Sequence, residues 1–129
     1  MSDREIVHTD RAPKAIGPYN QAVKAGGFLF CSGQIALDPA SGTLVGDGDV
    51  AKEATQVLAN LKAVLAAGGA SLADVVRCEV FLKDLSDFQT VNEVYGRFFD
   101  ESPPARVTVE VARLPMDVQV EIAAIARVP

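Results

Sequence analysis

The chain has 129 residues, a net charge of -5 and a pI near 4.7, and its 12 basic residues are scattered rather than clustered. That balance argues against a nucleic-acid-binding surface, which normally shows a basic patch, and apolar runs such as Ile122 to Ala126 are far too short to span a bilayer. The length fits one domain over residues 1–129, and Asp3, Arg4 and Glu5 stand where a secretory leader would be apolar, so the expectation is a cytoplasmic protein.

In chain order, Ile6 to His8 reads as a short edge strand, and Pro13, Gly17 and Pro18 make residues 12–18 a loop. Gln21 to Ala25 and Phe28 to Gln34 flank Gly26-Gly27, a hairpin signal because both glycines tolerate positive φ. Asp38-Pro39-Ala40-Ser41-Gly42 is a turn that leads into a surface loop ending at Gly48. Asp49 is a good N-cap for a helix whose apolar stripe runs through Val50, Ala54, Val57, Leu58, Leu61, Val64 and Leu65, and Gly68-Gly69 ends it.

Val75 to Leu82 reads as a strand, with Val76, Cys78 and Val80 alternating against Arg77 and Glu79. Ser86 or Asp87 caps a second helix with the stripe Phe88, Val91, Tyr95, Phe98 and Phe99, and Pro103-Pro104 stops any continuation. In Ala105 to Val111, Val107, Val109 and Val111 face one side while Arg106, Thr108 and Glu110 face the other. Val118 to Ala126 is almost wholly apolar and reads as an interior strand covered on both faces. The order β-β-β-α-β-α-β-β is an α/β (α+β) arrangement of two helices against one sheet. If both helices lie on one face, the other must be covered by a second subunit.

Glu121 interrupts that apolar strand. A buried carboxylate is costly unless paired, hydrogen-bonded or protonated, so it is either a salt-bridge partner or a group of raised pKa that orients and activates water. Arg106 opens its strand directly after a rigid Pro-Pro entry, and its planar fork suits a carboxylate; the alternative is a surface arginine on an edge strand. Tyr19 follows Gly17-Pro18 and either binds a ligand or caps the core. Asn92 lies between Phe88 and Tyr95 and pins a neighbouring backbone segment. His8 has no partner motif, and Cys31 and Cys78 read as small buried hydrophobes. No nucleophile elbow, metal-ligand spacing or phosphate loop is present in the sequence. What remains is acid-base chemistry by a carboxylate and water, with an arginine for an anionic substrate.

Several segments together resemble the RidA/YjgF family: Gly17-Pro18-Tyr19-Asn20-Gln21-Ala22-Val23; Ser32-Gly33-Gln34 with Asp38-Pro39; Val80-Phe81-Leu82-Lys83-Asp84; Val91-Asn92-Glu93-Val94-Tyr95; Pro104-Ala105-Arg106 with Val109 to Pro115; and Val120-Glu121-Ile122 with Ala124-Ile125-Ala126. They span about residues 14 to 127 in the family's order. The resemblance implies a chorismate-mutase-like fold, a mixed six-stranded sheet with two helices on one face, assembled as a barrel-like homotrimer with clefts between subunits. It implies cofactor-free hydrolysis of 2-imino acids (2-iminobutanoate, 2-iminopropanoate) to 2-keto acids and ammonia, which protects pyridoxal-phosphate enzymes from attack.

On the same footing Arg106 grips the substrate carboxylate, Glu121 holds the attacking water, and Tyr19 closes over the ligand. Ser32 and Gly33 line the cleft, and Asn92 supports the site. Thr108, commonly Cys or Ser in relatives, binds the carboxylate through its backbone. A non-catalytic carboxylate-binding or chaperone-like trimer, and a ribonuclease, are the competing readings.

Overall fold

In the computed structural model, which describes residues 3–129, six strands form one sheet: β1 (Arg4–Val7), β2 (Ala22–Ala25), β3 (Phe28–Gln34), β4 (Val75–Leu82), β5 (Ala105–Glu110) and β6 (Val120–Arg127). Helix α1 (Val50–Ala67) joins β3 to β4, and α2 (Phe88–Phe98) joins β4 to β5. The strands lie in the order β1-β2-β3-β6-β4-β5. Only β4 and β5 are parallel, as the intervening helix requires; the other pairs are antiparallel.

The local reasons match the residues. Gly26 and Gly27 both take positive φ (59° and 82°), the requirement of a tight hairpin whose twist suits β2 and β3. The Asp49 carboxylate accepts hydrogen bonds from the N–H groups of Ala51 (3.0 Å) and Lys52 (3.3 Å), so it caps α1 as expected. The α1 stripe of Val57, Leu58, Leu61, Val64 and Leu65 is fully buried in one core cluster with Leu29, Val80, Val120 and Ile122. Each such side chain contributes about 1.5–3 kcal/mol on leaving water.

Some expectations need correcting. The first strand is Arg4–Val7, beginning two residues and ending one residue before the expected Ile6 to His8. Asp87 holds the N-cap position of α2, as expected, but makes no side-chain cap bond: Asp84 caps the preceding single turn, accepting from Ser86 N–H at 2.9 Å, and that turn runs straight into α2. In β4 the register shifts between Val75 and Arg77, so Val75 rather than Val76 points inward and Val76 is exposed. A bulge of this kind reverses the alternation beyond it. Strand β6 is interior, between β3 and β4, yet only one of its faces is covered within the chain. Val120, Ile122, Ala124 and Ala126 lie under the helices; Glu121, Ala123 and Ile125 sit half-buried on the opposite face. That open face also carries Phe28, Phe30, Val107 and Val109, all exposed. No helix among the described residues is long and apolar enough to cross a membrane.

Candidate active site

Glu121 sits in β6 opposite Phe81 of β4, on the open face of the sheet. Burial alone pushes its carboxyl above the usual carboxylate range, and it has no ion-pair partner among the described residues. Its side chain lies flat against Gly33. A Cβ at Gly33 would overlap a carboxylate oxygen of Glu121 and stand 2.9 Å from its Cδ. Gly33 falls where β3 and β6 lose register, between Cys31 and Gln34, so the bulge and the missing side chain together make room for the carboxylate. Tyr19 lines the same pocket, with Lys14, Ile16, Leu37 and Pro115 around it. The Tyr19 hydroxyl accepts a hydrogen bond from Ile16 N–H (3.3 Å), which folds the glycine-proline loop on itself. Ser32 donates its hydroxyl to the Asn20 carbonyl (2.6 Å), and its N–H goes to the Gln21 carbonyl (2.9 Å). Within the chain, Ser32 therefore holds the segment that carries Tyr19.

Arg106 lies elsewhere. In the register, Cys31, Ala124, Cys78 and Arg106 form one row across β3, β6, β4 and β5, on the helix-covered face. The guanidinium rests on two rings of α2, with its carbon 4.8 Å from the centroid of Tyr95 and 5.5 Å from that of Phe88. No carboxylate among the described residues lies within ion-pair distance of it. Thr108 follows on the same face; its hydroxyl is buried without a hydrogen-bond partner. Asn92, half-buried, falls on the α2 face between Phe88 and Tyr95 and makes no side-chain hydrogen bond among the described residues.

The candidate residues therefore fall into two separate groups. Glu121, Gly33 and Tyr19 come together, with Ser32 behind them. Arg106 and Thr108 share the helix-covered face of β5, and Asn92 lies on α2 between the two rings that Arg106 contacts. The sheet separates the groups.

The two cysteines are buried free thiols. Both flank Ala124, so they are two strand spacings apart, roughly 9–10 Å, beyond disulfide reach. Burial, and secondarily the neighbouring Cys78, pushes the Cys31 thiol up to about 12, which leaves no thiolate near neutrality.

Sequence reasoning missed residues that build the pocket. Asn60, 1% exposed on α1, donates to the carbonyls of Ile35 (3.1 Å) and Leu37 (2.9 Å), fixing backbone that lines the Glu121 pocket. A signal existed, since position 60 falls three after Val57 and four before Val64, on the apolar stripe. Gln21, buried at the entry to β2, accepts from Thr9 N–H (2.7 Å) and donates to the Pro13 carbonyl (2.8 Å), stapling the segment before Lys14. Buried Glu53 accepts from Gln119 N–H (3.0 Å) and anchors the entry to β6. Lys14 gave no signal in the sequence.

Comparison with known proteins agrees with this architecture. The profile of the family described as Endoribonuclease L-PSP matches residues 9–128. A RutC family protein of Pyrococcus horikoshii is 56% identical over 123 residues, covering 95% of this chain and 97% of its own. The structure of E. coli TdcF with bound serine superposes with a TM-score of 0.92 at 48% identity, covering 97% of this chain and 99% of that one. The E. coli YjgF gene product superposes with a TM-score of 0.90, also at 48% identity, over 95% and 98%. With fold, motif order and sequence in agreement over nearly its whole length, this chain belongs to the YjgF/RidA family.

Proposed function

We propose that this chain hydrolyses 2-imino acids, such as 2-iminobutanoate and 2-iminopropanoate, to 2-keto acids and ammonia, as a cytoplasmic homotrimer whose sites form between subunits. The observation that carries the reading is a half-buried guanidinium with no counter-ion, beside a fold that also holds a half-buried, uncompensated carboxylate. Leaving either charge unpaired is unfavourable, and a small anion with an electrophilic carbon gives both a task. The apolar open face supplies the surface on which a second copy brings its Arg106 half-site to the Glu121 half-site. TdcF, bound to serine, holds a ligand with the same carboxylate and C2 nitrogen as a 2-imino acid.

Arg106 grips the substrate carboxylate through its fork, each charge-assisted hydrogen bond contributing about 1.5–3 kcal/mol. Thr108, next on that face, lines the carboxylate end, and Asn92 backs it. Ionised Glu121 accepts a proton as water adds to C2 and the C=N π electrons move to nitrogen. The protonated carboxyl then returns that proton to nitrogen. Glu121 next takes the C2 hydroxyl proton as the carbonyl forms and the C–N bond breaks, and it passes that proton to the departing nitrogen, which leaves as ammonia. Burial suits Glu121 to this exchange by bringing its pKa toward the working pH. Tyr19 closes the pocket mouth, and Gly33 leaves space for the carboxylate. No cofactor has a step in this scheme, and relieving pyridoxal-phosphate enzymes of reactive enamines follows from it. Hydrolysis of RNA, the activity in the family's description, is poorly served by a chain of net charge -5 with scattered basic residues.

The test generates 2-iminobutanoate in situ with a threonine dehydratase and follows 2-oxobutanoate release. The chain accelerates release and Arg106→Ala does not. Release at the uncatalysed rate with the parent chain refutes the reading in favour of a binding module.

A further inference from the structure

We infer that Phe88 and Tyr95 form an aromatic cradle that positions Arg106 and keeps its charge free for a small carboxylate. The inference rests in part on the hydrolase reading, because the ligand class comes from it.

An arginine at the edge of a sheet has many rotamers and usually finds an acidic neighbour. Here it finds neither solvent on all sides nor a carboxylate. Its guanidinium lies over Tyr95 at 4.8 Å and Phe88 at 5.5 Å from the ring centroids, both within cation–π range. The rings belong to residues seven apart on α2, hence to one face of that helix. The rings attract the guanidinium without supplying a hydrogen-bond acceptor, and no side-chain N–H of Arg106 has a partner among the described residues, so its fork stays available for a bidentate anion. An acidic residue in place of either ring would hold Arg106 as firmly and neutralise it.

The two rings contribute differently. Tyr95 is 5% exposed and packs on Phe99 at 4.7 Å, so it also belongs to the core. Phe88 is 38% exposed at the first turn of α2, adding little to the core. Exposed aromatic surface beside an unneutralised guanidinium is what a ligand-facing cradle requires. Phe88 is therefore a positioning residue that acts through Arg106.

The experiment uses the full chain and measures 2-oxobutanoate binding by calorimetry, alongside imine turnover. Phe88→Leu keeps an apolar side chain and removes the ring. It should weaken 2-oxobutanoate binding and raise KM about two- to fivefold, the range of an exposed cation–π contact, with kcat and thermal midpoint close to the parent. Phe88→Tyr should restore both constants. A Phe88→Leu variant with parental Kd and KM overturns the cradle, as does one whose kcat falls while KM stays fixed. If Tyr at position 88 fails to rescue, apolar packing rather than the ring is responsible and the proposal fails. The two readings separate cleanly. Parental turnover with no effect of Phe88→Leu removes the cradle and leaves the hydrolase. Ring-dependent 2-oxobutanoate binding without imine turnover removes the hydrolase and leaves the cradle.

Discussion

Arg106 and Glu121 lie on opposite faces of one sheet, so a site that uses both must take them from different chains, and this predicts complementation between dead variants. In a cyclic trimer each cleft pairs the Arg106 half-site of one chain with the Glu121 half-site of the next. Arg106→Ala and Glu121→Ala homotrimers then have no complete cleft. When the two variants are mixed in equal amounts and co-refolded, a cleft is complete only if its arginine side comes from the Glu121→Ala chain and its glutamate side from the Arg106→Ala chain. Each condition is met half the time, so about one quarter of the clefts are intact, and the mixture regains about a quarter of parental turnover. The assay is 2-oxobutanoate release from enzymatically generated imine, with separately refolded variants mixed afterwards as the control. Recovery in the co-refolded sample alone supports the shared cleft. No recovery, with chain exchange verified by differently tagged subunits, refutes it and returns both residues to one chain, which the strand register does not allow without rearrangement.

Gly33→Ala incurs no positive-φ penalty but drives a Cβ into the Glu121 carboxylate, so it should lose about 1–3 kcal/mol of stability and, by displacing the acid-base group, about 100-fold or more in kcat; in a Glu121→Ala background the stability cost should vanish, and denaturant midpoints of the four chains test that coupling. Burial raises the Glu121 pKa in the folded chain, so its contribution to stability is full below the unfolded pKa and is lost as pH rises through the folded one. Glu121→Gln should thus unfold at a higher temperature than the parent near neutral pH, the gap closing in acid, while its imine turnover drops; equal melting profiles across pH count against the buried carboxylate. Asn60→Ala takes a partner from the Leu37 carbonyl and leaves the Ile35 carbonyl with only the Leu37 N–H, so it should cost about 1–3 kcal/mol, read from urea midpoints, with a parental midpoint removing its role in fixing the pocket wall.

Most of the elements were legible because local signals agreed with the fold. The glycine pair gave the hairpin, Asp49 and the 3.6-residue stripe gave α1, and the apolar run gave the interior β6. The departures have identifiable physical causes. The bulge between Val75 and Arg77 depends on pairing with β6, which nothing near Val76 announces. Asp87 holds the N-cap position of α2 as expected but makes no side-chain cap bond, because the turn capped by Asp84 runs straight into the helix. For the site, the sequence pointed to both charged residues but not to their separation. Whether residue 106 shares a face with residue 121 depends on how β4 registers against both β5 and β6, strands distant in sequence. Lys14 lines the pocket from a segment that Gln21, distant in the loop, holds through the Pro13 carbonyl.

That separation ties chemistry to assembly. Along a strand, faces alternate at every residue, and the row running from Cys31 through Ala124 and Cys78 to Arg106 fixes the arginine under the helices. Glu121, three residues before Ala124 on the same strand, must then face the other way. The outward face that holds it also carries Phe28, Phe30, Val107 and Val109, residues whose exposure is unfavourable in a lone chain. In the proposed trimer, covering those side chains with another copy would bury apolar surface and, in the same step, bring a second arginine half-site toward the Glu121 pocket. Under this geometry turnover should fall with subunit dissociation, because neither charge can substitute for its counterpart on the far side of its own sheet.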